Sequence, residues 1–140
     1  MSNPLFLSLV FHNHQSIGNF NFVYERSYHS AYQPLVELLE RHPAIHVGLH
    51  FSGSLLEWLA EYYPGFLERV RALVERGQVE ILTGGYYEPI LAALPDTDKI
   101  GQIRKLTESI RRLFGTEPAG LWLAERIWEP YLAKPLAEAG

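Results

Sequence analysis

The chain has 140 residues, of which 47% are hydrophobic, and a formal net charge of −4 at pH 7. This size supports one globular domain, and the interleaved charges form no Lys/Arg stripe, which excludes nucleic acid as an expected partner. The chain contains no cysteine, which excludes disulfide frameworks, thiolate metal sites and cysteine nucleophiles.

The first part of the chain predicts two strands separated by a loop and a helix. Residues 5–11 are almost all apolar, as in a strand that is covered on both faces of a parallel sheet. Residues 12–24 are rich in Asn, Gly and aromatic side chains without a helical period, so they predict a loop. The next helix is clearest over residues 34–42, with Pro34 in its first turn, and residues 45–51 alternate like a second strand.

The second part continues the alternation of helices and strands. Pro64 separates two helical patterns, Gly77 stands in a helix-stopping position, and a long helix ends at Gly115. The predicted elements are helices over residues 55–63 and 65–76, a strand over 79–83, a helix over 99–114, a strand over 120–124, and a short helix from Pro130 to Gly140.

This order of elements predicts an α/β fold with a parallel-sheet (β/α) repeat, because each strand is followed by a crossover through a helix. In such folds, functional side chains collect beyond the C-terminal ends of the strands. His12 and His14 follow the first predicted strand, His50 ends the second, a GGYYE loop at 84–88 follows the third, and Glu125 follows the fourth. We therefore expect a functional site at one rim of the sheet.

The two histidines of the first loop leave three interpretations open. Their spacing places His12 and His14 on the same side of an extended backbone. They could bind a metal together with His50 and a carboxylate, since imidazole is the commonest metal ligand. They could instead hydrogen-bond to sugar hydroxyls, or be satisfied by the backbone of their own loop.

Glu80 is an unusual residue for an apolar strand. It lies between Val79 and Ile81, where burying a carboxylate is costly unless it is paired or hydrogen-bonded. Glu80 is therefore either a hydrogen-bond acceptor in the mouth of a barrel or a solvated group at an edge of the sheet.

The segment WLAERIWEP at 122–130 carries a carboxylate between two indoles, with Trp122, Glu125 and Trp128 three residues apart. Aromatic faces can hold a sugar ring while a carboxylate meets the positive charge that develops at the anomeric carbon. Two structural alternatives are that the tryptophans cap the end of the sheet and that Glu125 forms a surface ion pair with Arg126.

Three motifs together resemble the first three signature regions of glycoside hydrolase family 57. They are HNHQ at 12–15, GQVEILTGGYYEP at 77–89 and WLAERIWEP at 122–130, and LHFSGSLLEWL at 49–59 and PILAALP at 89–95 extend the likeness over almost the whole chain. The resemblance is greatest to the 4-α-glucanotransferase and α-amylase-like branch, since Glu88 stands where many amylopullulanase-type members have histidine. Ser16 departs from a common proline in the first motif.

The resemblance implies the first four units of an incomplete (β/α)7 barrel and an enzyme that acts on α-glucans with retention of configuration. It makes Glu125 the catalytic nucleophile and His12, His14, Glu80 and Trp122 substrate-binding groups, with no cofactor and no metal. We add Tyr87 and Trp128, which lie in the same motifs, as substrate contacts. The resemblance also implies that the general acid/base is an aspartate of a fourth region beyond position 140.

These expectations leave three hypotheses for the function. The first is an α-glucan-active retaining hydrolase or 4-α-glucanotransferase, of which residues 1–140 form the N-terminal portion of the catalytic domain and are inactive alone. The others are a metal-dependent barrel hydrolase or polysaccharide deacetylase that uses His12 and His14, and a non-catalytic glucan-binding half-barrel. Unpaired edge strands would require a completing C-terminal segment or a second copy of the chain.

The N-terminal apolar run of about eight residues has no basic residue before it and does not match a signal peptide. No stretch approaches the ~18 consecutive apolar residues of a membrane span. We therefore expect a cytoplasmic protein with no membrane partner.

Overall fold

The computed structural model describes residues 3–140 as four strands and six α-helices, joined by shorter helical turns. In chain order they are β1 (Val10–Asn13), α1 (Asn21–Ser27), α2 (Gln33–Arg41), β2 (Val47–Phe51), α3 (Gly53–Tyr62), α4 (Pro64–Glu75), β3 (Val79–Gly84), α5 (Asp96–Phe114), β4 (Leu121–Trp122) and α6 (Ala133–Ala139). None of these helices combines the length and the apolar character needed to cross a bilayer.

The strands form one curled parallel sheet in the order β1-β2-β3-β4, which confirms the predicted α/β class and (β/α) repeat. The register places His12 beside His50 on neighbouring strands, and Gly84 beside Trp122. Because the strands are parallel, their C-terminal ends lie at the same rim.

The two faces of the sheet have different surroundings. Val79, Ile81 and Thr83 alternate along β3 and are buried, and the Thr83 and Thr107 hydroxyls hydrogen-bond at 2.8 Å to join β3 to α5. The opposite face is concave. There Gly48 packs against the side chains of Leu82 and Val10. A Cβ at position 48 would lie 3.0 Å from the Leu82 side chain and 3.2 Å from the Val10 side chain.

The first helical region begins earlier than the sequence predicts. We expected a loop as far as Tyr24, but α1 begins at Asn21 and continues through a π-helical turn, Tyr28–Tyr32, into α2. The buried face of this region consists of Tyr24, Tyr28 and Tyr32, four residues apart, so an aliphatic pattern does not reveal it. The wider π-helical turn lies directly before Pro34, which has no N–H to donate.

The first strand is shorter than predicted. It begins at Val10, and Leu5, Phe6 and Leu7 are 96%, 88% and 79% exposed. Pairing with β2 starts where the Gly48 N–H donates to the Leu9 carbonyl at 2.9 Å. The apolar residues before Leu9 lie beyond the start of β2, and no strand within residues 3–140 pairs with them, so the prediction of a strand from residue 5 was wrong.

Candidate functional site

The site begins with a pair of histidines at the ends of β1 and β2. The Nδ1 atoms of His12 and His50 are 2.9 Å apart, so one ring donates a hydrogen bond and the other accepts it. The side chain of His50 is fully buried. Burial, reinforced by His12 and His14, lowers the pKa of His50 to about 3, so this ring is neutral at physiological pH.

Glu88, from the loop after β3, lies against both histidines. Its Oε2 is 3.5 Å from His12 Nε2, and its Oε1 is 3.5 Å from His50 Nδ1. Burial and the nearby charge of Glu125 raise the pKa of Glu88 to about 7, so a large fraction of this carboxyl is protonated at neutral pH. The Glu88 backbone has a φ of 58°, a left-handed conformation that is costly outside glycine.

Trp122 and Glu125 complete the site from the end of β4. The Trp122 indole stacks on the His12 imidazole, with ring centroids 4.5 Å apart and planes 11° from parallel. Glu125 lies in a short helical turn in which both it and Arg126 have a φ of 56°. These residues border an open cavity of about 200 Å³, lined by His12, Glu88, Trp122, Glu125 and Arg126.

His14 lies beside His12, with ring centroids 5.6 Å apart. Its Nε2 is 3.3 Å from the Ser16 hydroxyl, while its Nδ1 is buried and has no hydrogen-bond partner among the described residues. Burial lowers the pKa of His14, against an opposing effect of Glu125. His12, His14 and Glu88 each offer one ligand atom, and these atoms lie within 4.8 Å of one another, which is a grouping that could hold a metal ion.

The loop that carries His14 is fixed by the tyrosine face of the first helical region. The Tyr32 hydroxyl donates to the His14 carbonyl at 3.0 Å. The Gln15 side chain is 2.8 Å from the Ser27 hydroxyl and 3.0 Å from the Tyr32 hydroxyl. The unexpected helical start at Asn21 therefore has a role, because it supplies the groups that position His14.

The structure brings four of the predicted site residues together: His12, His14, Trp122 and Glu125. It does not place Glu80, Tyr87 or Trp128 in this cluster. Glu80 is exposed and borders a separate cavity with Leu9, His46 and Gln78, nearer the start of the strands. The role of Glu80 as a substrate-binding group stays a prediction.

Tyr87 contacts α5, and Trp128 is largely exposed to solvent. The Tyr87 hydroxyl accepts a hydrogen bond from Lys105 of α5 at 2.7 Å, and its backbone N–H donates to Gln102 of the same helix at 3.0 Å. The Trp128 side chain is 54% exposed in the segment after β4. Their roles as substrate contacts stay predictions.

From the sequence, His50 is a possible metal ligand and Glu88 a member of the loop after the third strand, but neither of them, nor Arg126, was assigned to the glucan site. His50 and the GGYYE loop were both recognised at strand ends, but no local pattern shows that the Glu88 side chain turns back onto two histidines. Arg126 was considered only as an ion-pair partner of Glu125, and no such pair is found within residues 3–140, where Arg126 borders the cavity instead.

The arrangement was compared with known proteins. A family model described as "Glycosyl hydrolase family 57" matches residues 7–140. The chain belongs to this family. This confirms the resemblance drawn from the three motifs, and the sheet that holds the site is a part of the family's barrel.

Two relatives from family 57 are similar over almost the whole chain. Alpha-amylase 1 of Dictyoglomus thermophilum is 49% identical over 140 residues, which are 100% of this chain and 20% of that protein. A 4-alpha-glucanotransferase of Thermococcus litoralis is 49% identical over 129 residues, 92% of this chain and 19% of that protein. The chain therefore spans about a fifth of the length of these relatives.

Solved structures agree with this assignment of the fold. The crystal structure of the Thermococcus litoralis 4-alpha-glucanotransferase matches 95% of this chain and 21% of that chain, with a TM-score of 0.93 and 47% identity. A family 4 carbohydrate esterase from Streptomyces lividans matches 96% of this chain and 59% of that chain, with a TM-score of 0.69 and 17% identity. The esterase shares the fold with this family 57 chain, and at that identity nothing more follows.

Proposed function

We propose that this family 57 chain contributes the nucleophile half of an active site that cleaves or transfers α-glucans with retention of configuration. Glu125 is the nucleophile that forms the glycosyl-enzyme, and Trp122 and His12 form the wall against which the sugar ring lies. The chain forms the N-terminal portion of a (β/α)7-barrel catalytic domain. The relatives named alpha-amylase and 4-alpha-glucanotransferase support this substrate class.

The position of Glu125 carries the proposal. Its carboxylate borders a cavity of about 200 Å³ beside the stacked rings of Trp122 and His12, at the rim where barrel enzymes hold their catalytic groups. The left-handed backbone of Glu125 supports the same assignment, because strained conformations persist mainly where a side chain must be aimed at a site. A retained configuration requires a carboxylate that attacks the anomeric carbon.

The mechanism also requires a second carboxyl group, roughly 5–5.5 Å from the nucleophile, that protonates the leaving oxygen. The family resemblance assigns this role to an aspartate beyond residue 140. Glu88 borders the same cavity and carries a proton for a large fraction of the time at neutral pH, so it is the second candidate for the acid. Its contacts with His12 and His50 favour a positioning role for Glu88 over a catalytic one.

Covalent trapping tests the proposal directly. The complete enzyme is mixed with a maltooligosaccharide, quenched in acid and analysed by mass spectrometry after proteolysis. The expected result is a glycosyl adduct on the peptide that contains Glu125 and none in a Glu125→Gln variant. An adduct on another carboxylate, or cleavage of glucan with inversion of configuration, would reject the assignment of Glu125.

The products separate the two activities. Longer oligosaccharides formed from a single maltooligosaccharide indicate transfer, whereas reducing ends that increase without longer products indicate hydrolysis. The balance depends on how well the site excludes water when an acceptor glucan is bound.

A further inference from the structure

We propose that His12, His14 and Glu88 form a binding site for a divalent transition metal ion of the Zn²⁺ type, and that the bound ion excludes glucan from the cavity beside Glu125. The ion acts here as an inhibitor. The binding of the ion stands on the geometry alone, whereas the inhibition rests on the proposed function.

The ligand atoms have the chemistry and the spacing for such an ion. Two imidazole nitrogens and one carboxylate oxygen lie within 4.8 Å of one another. Zn²⁺ binds these donors at about 2.0–2.2 Å, which places neighbouring donors about 3.3 Å apart in a tetrahedron. His12 is exposed and His14 is half-buried, so both rings have room to adjust towards that spacing.

The hydrogen bonds around the two histidines leave one nitrogen of each ring available for a metal. His12 Nδ1 is paired with His50 Nδ1, which leaves His12 Nε2 facing Glu88. His14 Nε2 is paired with the Ser16 hydroxyl, which leaves Nδ1. Metal-ligating histidines almost always have their other ring nitrogen in a hydrogen bond, and the other nitrogen of each ring here has such a partner.

Two buried atoms of this group lack hydrogen-bond partners in the described part of the chain. Within residues 3–140, His14 Nδ1 and Glu88 Oε1 are buried and make no hydrogen bond. A buried polar atom without a partner costs roughly 1–3 kcal/mol, so a ligand that satisfies it is favoured. The cavity that His12 and Glu88 line gives space for water as a further ligand.

The ion and the sugar compete because they use the same space. His12 and Glu88 line the cavity of about 200 Å³ together with Trp122 and Glu125. A hydrated ion held there occupies the volume in front of Trp122. Its positive charge also stabilises the Glu125 carboxylate and weakens it as a nucleophile.

Calorimetric titration of the protein with ZnCl₂ tests the site. The expected result is one ion per chain, and a loss of affinity of at least about tenfold in His14→Ala. His46→Ala is the matched control, since His46 is exposed and lies outside the three-residue group, and its affinity should equal that of the wild type. Glu88→Gln, which keeps the side-chain shape, is the second variant if His14→Ala does not fold.

Two outcomes would overturn the metal site: no binding of Zn²⁺ at millimolar concentration, or equal affinity in the wild type, His14→Ala and Glu88→Gln. The inhibition is tested by repeating the titration with saturating maltoheptaose, which should raise the apparent Kd for Zn²⁺. An unchanged Kd, in a protein that binds maltoheptaose by a separate titration, would overturn the competition. Absence of maltoheptaose binding would count against the proposed function, and the direct Zn²⁺ titration would still decide the metal site.

Discussion

The His12 imidazole stacks on the Trp122 indole at a centroid distance of 4.5 Å, although β2 and β3 lie between their two strands in the sheet. This contact is possible only because the sheet curls, which brings the ends of its first and last strands together across the concave face. The same curl gathers Glu88 and Glu125 around one cavity.

In the complete enzyme, Glu125→Gln is expected to lower kcat by about 10⁴-fold or more while glucan binding is largely kept, because the amide preserves the shape and loses the attacking charge. Steady-state kinetics and calorimetric binding of maltooligosaccharides measure the two effects. Near-normal turnover in this variant would remove Glu125 from the mechanism.

In the complete enzyme, Glu88→Gln is expected to lower kcat/KM by less than about 100-fold, because a positioning residue contributes less than the 10²–10⁴-fold that a general acid supplies. The measurement compares a maltooligosaccharide with an α-glucosyl fluoride, whose leaving group needs little protonation. A loss above 100-fold on the oligosaccharide together with near-normal activity on the fluoride would identify Glu88 as the acid.

His50 is expected to make the protein less stable in acid. Its pKa is lowered to about 3 in the folded chain and is about 6.5 when unfolded, so the unfolded state binds the extra proton between these values. The contribution of His50 to stability is therefore complete above about pH 6.5 and is lost as the pH falls towards 3. Denaturant unfolding of His50→Asn should show a weaker fall over this range, by at most about 1.36 kcal/mol per pH unit.

Glu88, which contacts His50, should act in the opposite direction. Its pKa is raised to about 7 on folding from about 4.3, so its protonation stabilises the folded state at low pH, and this contribution is lost as the pH rises from about 4.3 to 7. The stability of Glu88→Gln should consequently rise more steeply with pH than that of the wild type over this window. Equal slopes for the two proteins would contradict the burial of a protonated Glu88.

Gly84→Ala is expected to disturb the site, because a Cβ there would lie 2.8 Å from His50 Nε2 and 3.0 Å from the Trp122 carbonyl oxygen. Such overpacking typically costs about 1–3 kcal/mol of folding free energy. Gly101→Ala in α5 is the control, since its Cβ would meet no atom within 4 Å, and it should stabilise the protein by about 0.5–1 kcal/mol. Thermal and denaturant unfolding of both variants measure the difference, and a fully stable Gly84→Ala would show that His50 can move.

Chelation should not lower the activity on glucans. The histidines are expected to hold sugar hydroxyls during turnover, and an ion at His12, His14 and Glu88 is expected to inhibit. Assays before and after dialysis against EDTA, with metal analysis of both samples, measure this. A stoichiometric metal lost together with activity would favour the metal-dependent hydrolase instead.

The sequence by itself determined the alternation of strands and helices and the identity of most rim residues. Apolar runs, Gly77 and Gly115 mark where the elements end, and they place His12 and His50 near the C-terminal ends of strands and Glu125 just beyond one. Because the C-terminal ends of parallel strands share a rim, the location of the site followed from that order alone. The three motifs also sufficed to identify the family.

Only the tertiary structure decided which side chains meet. The pairing of His12 with His50 depends on strand register, and the contact of Glu88 with both depends on a left-handed backbone in a loop; neither leaves a periodic signal in the sequence. Glu80 and Tyr87 show that residues close in sequence to a site residue need not lie beside it. Both belong to the same motif as Glu88, yet Glu80 borders a cavity nearer the start of the strands and the Tyr87 hydroxyl accepts a hydrogen bond from Lys105 of α5. Proximity along the chain does not fix direction in space, because the packing of distant elements sets where each side chain points.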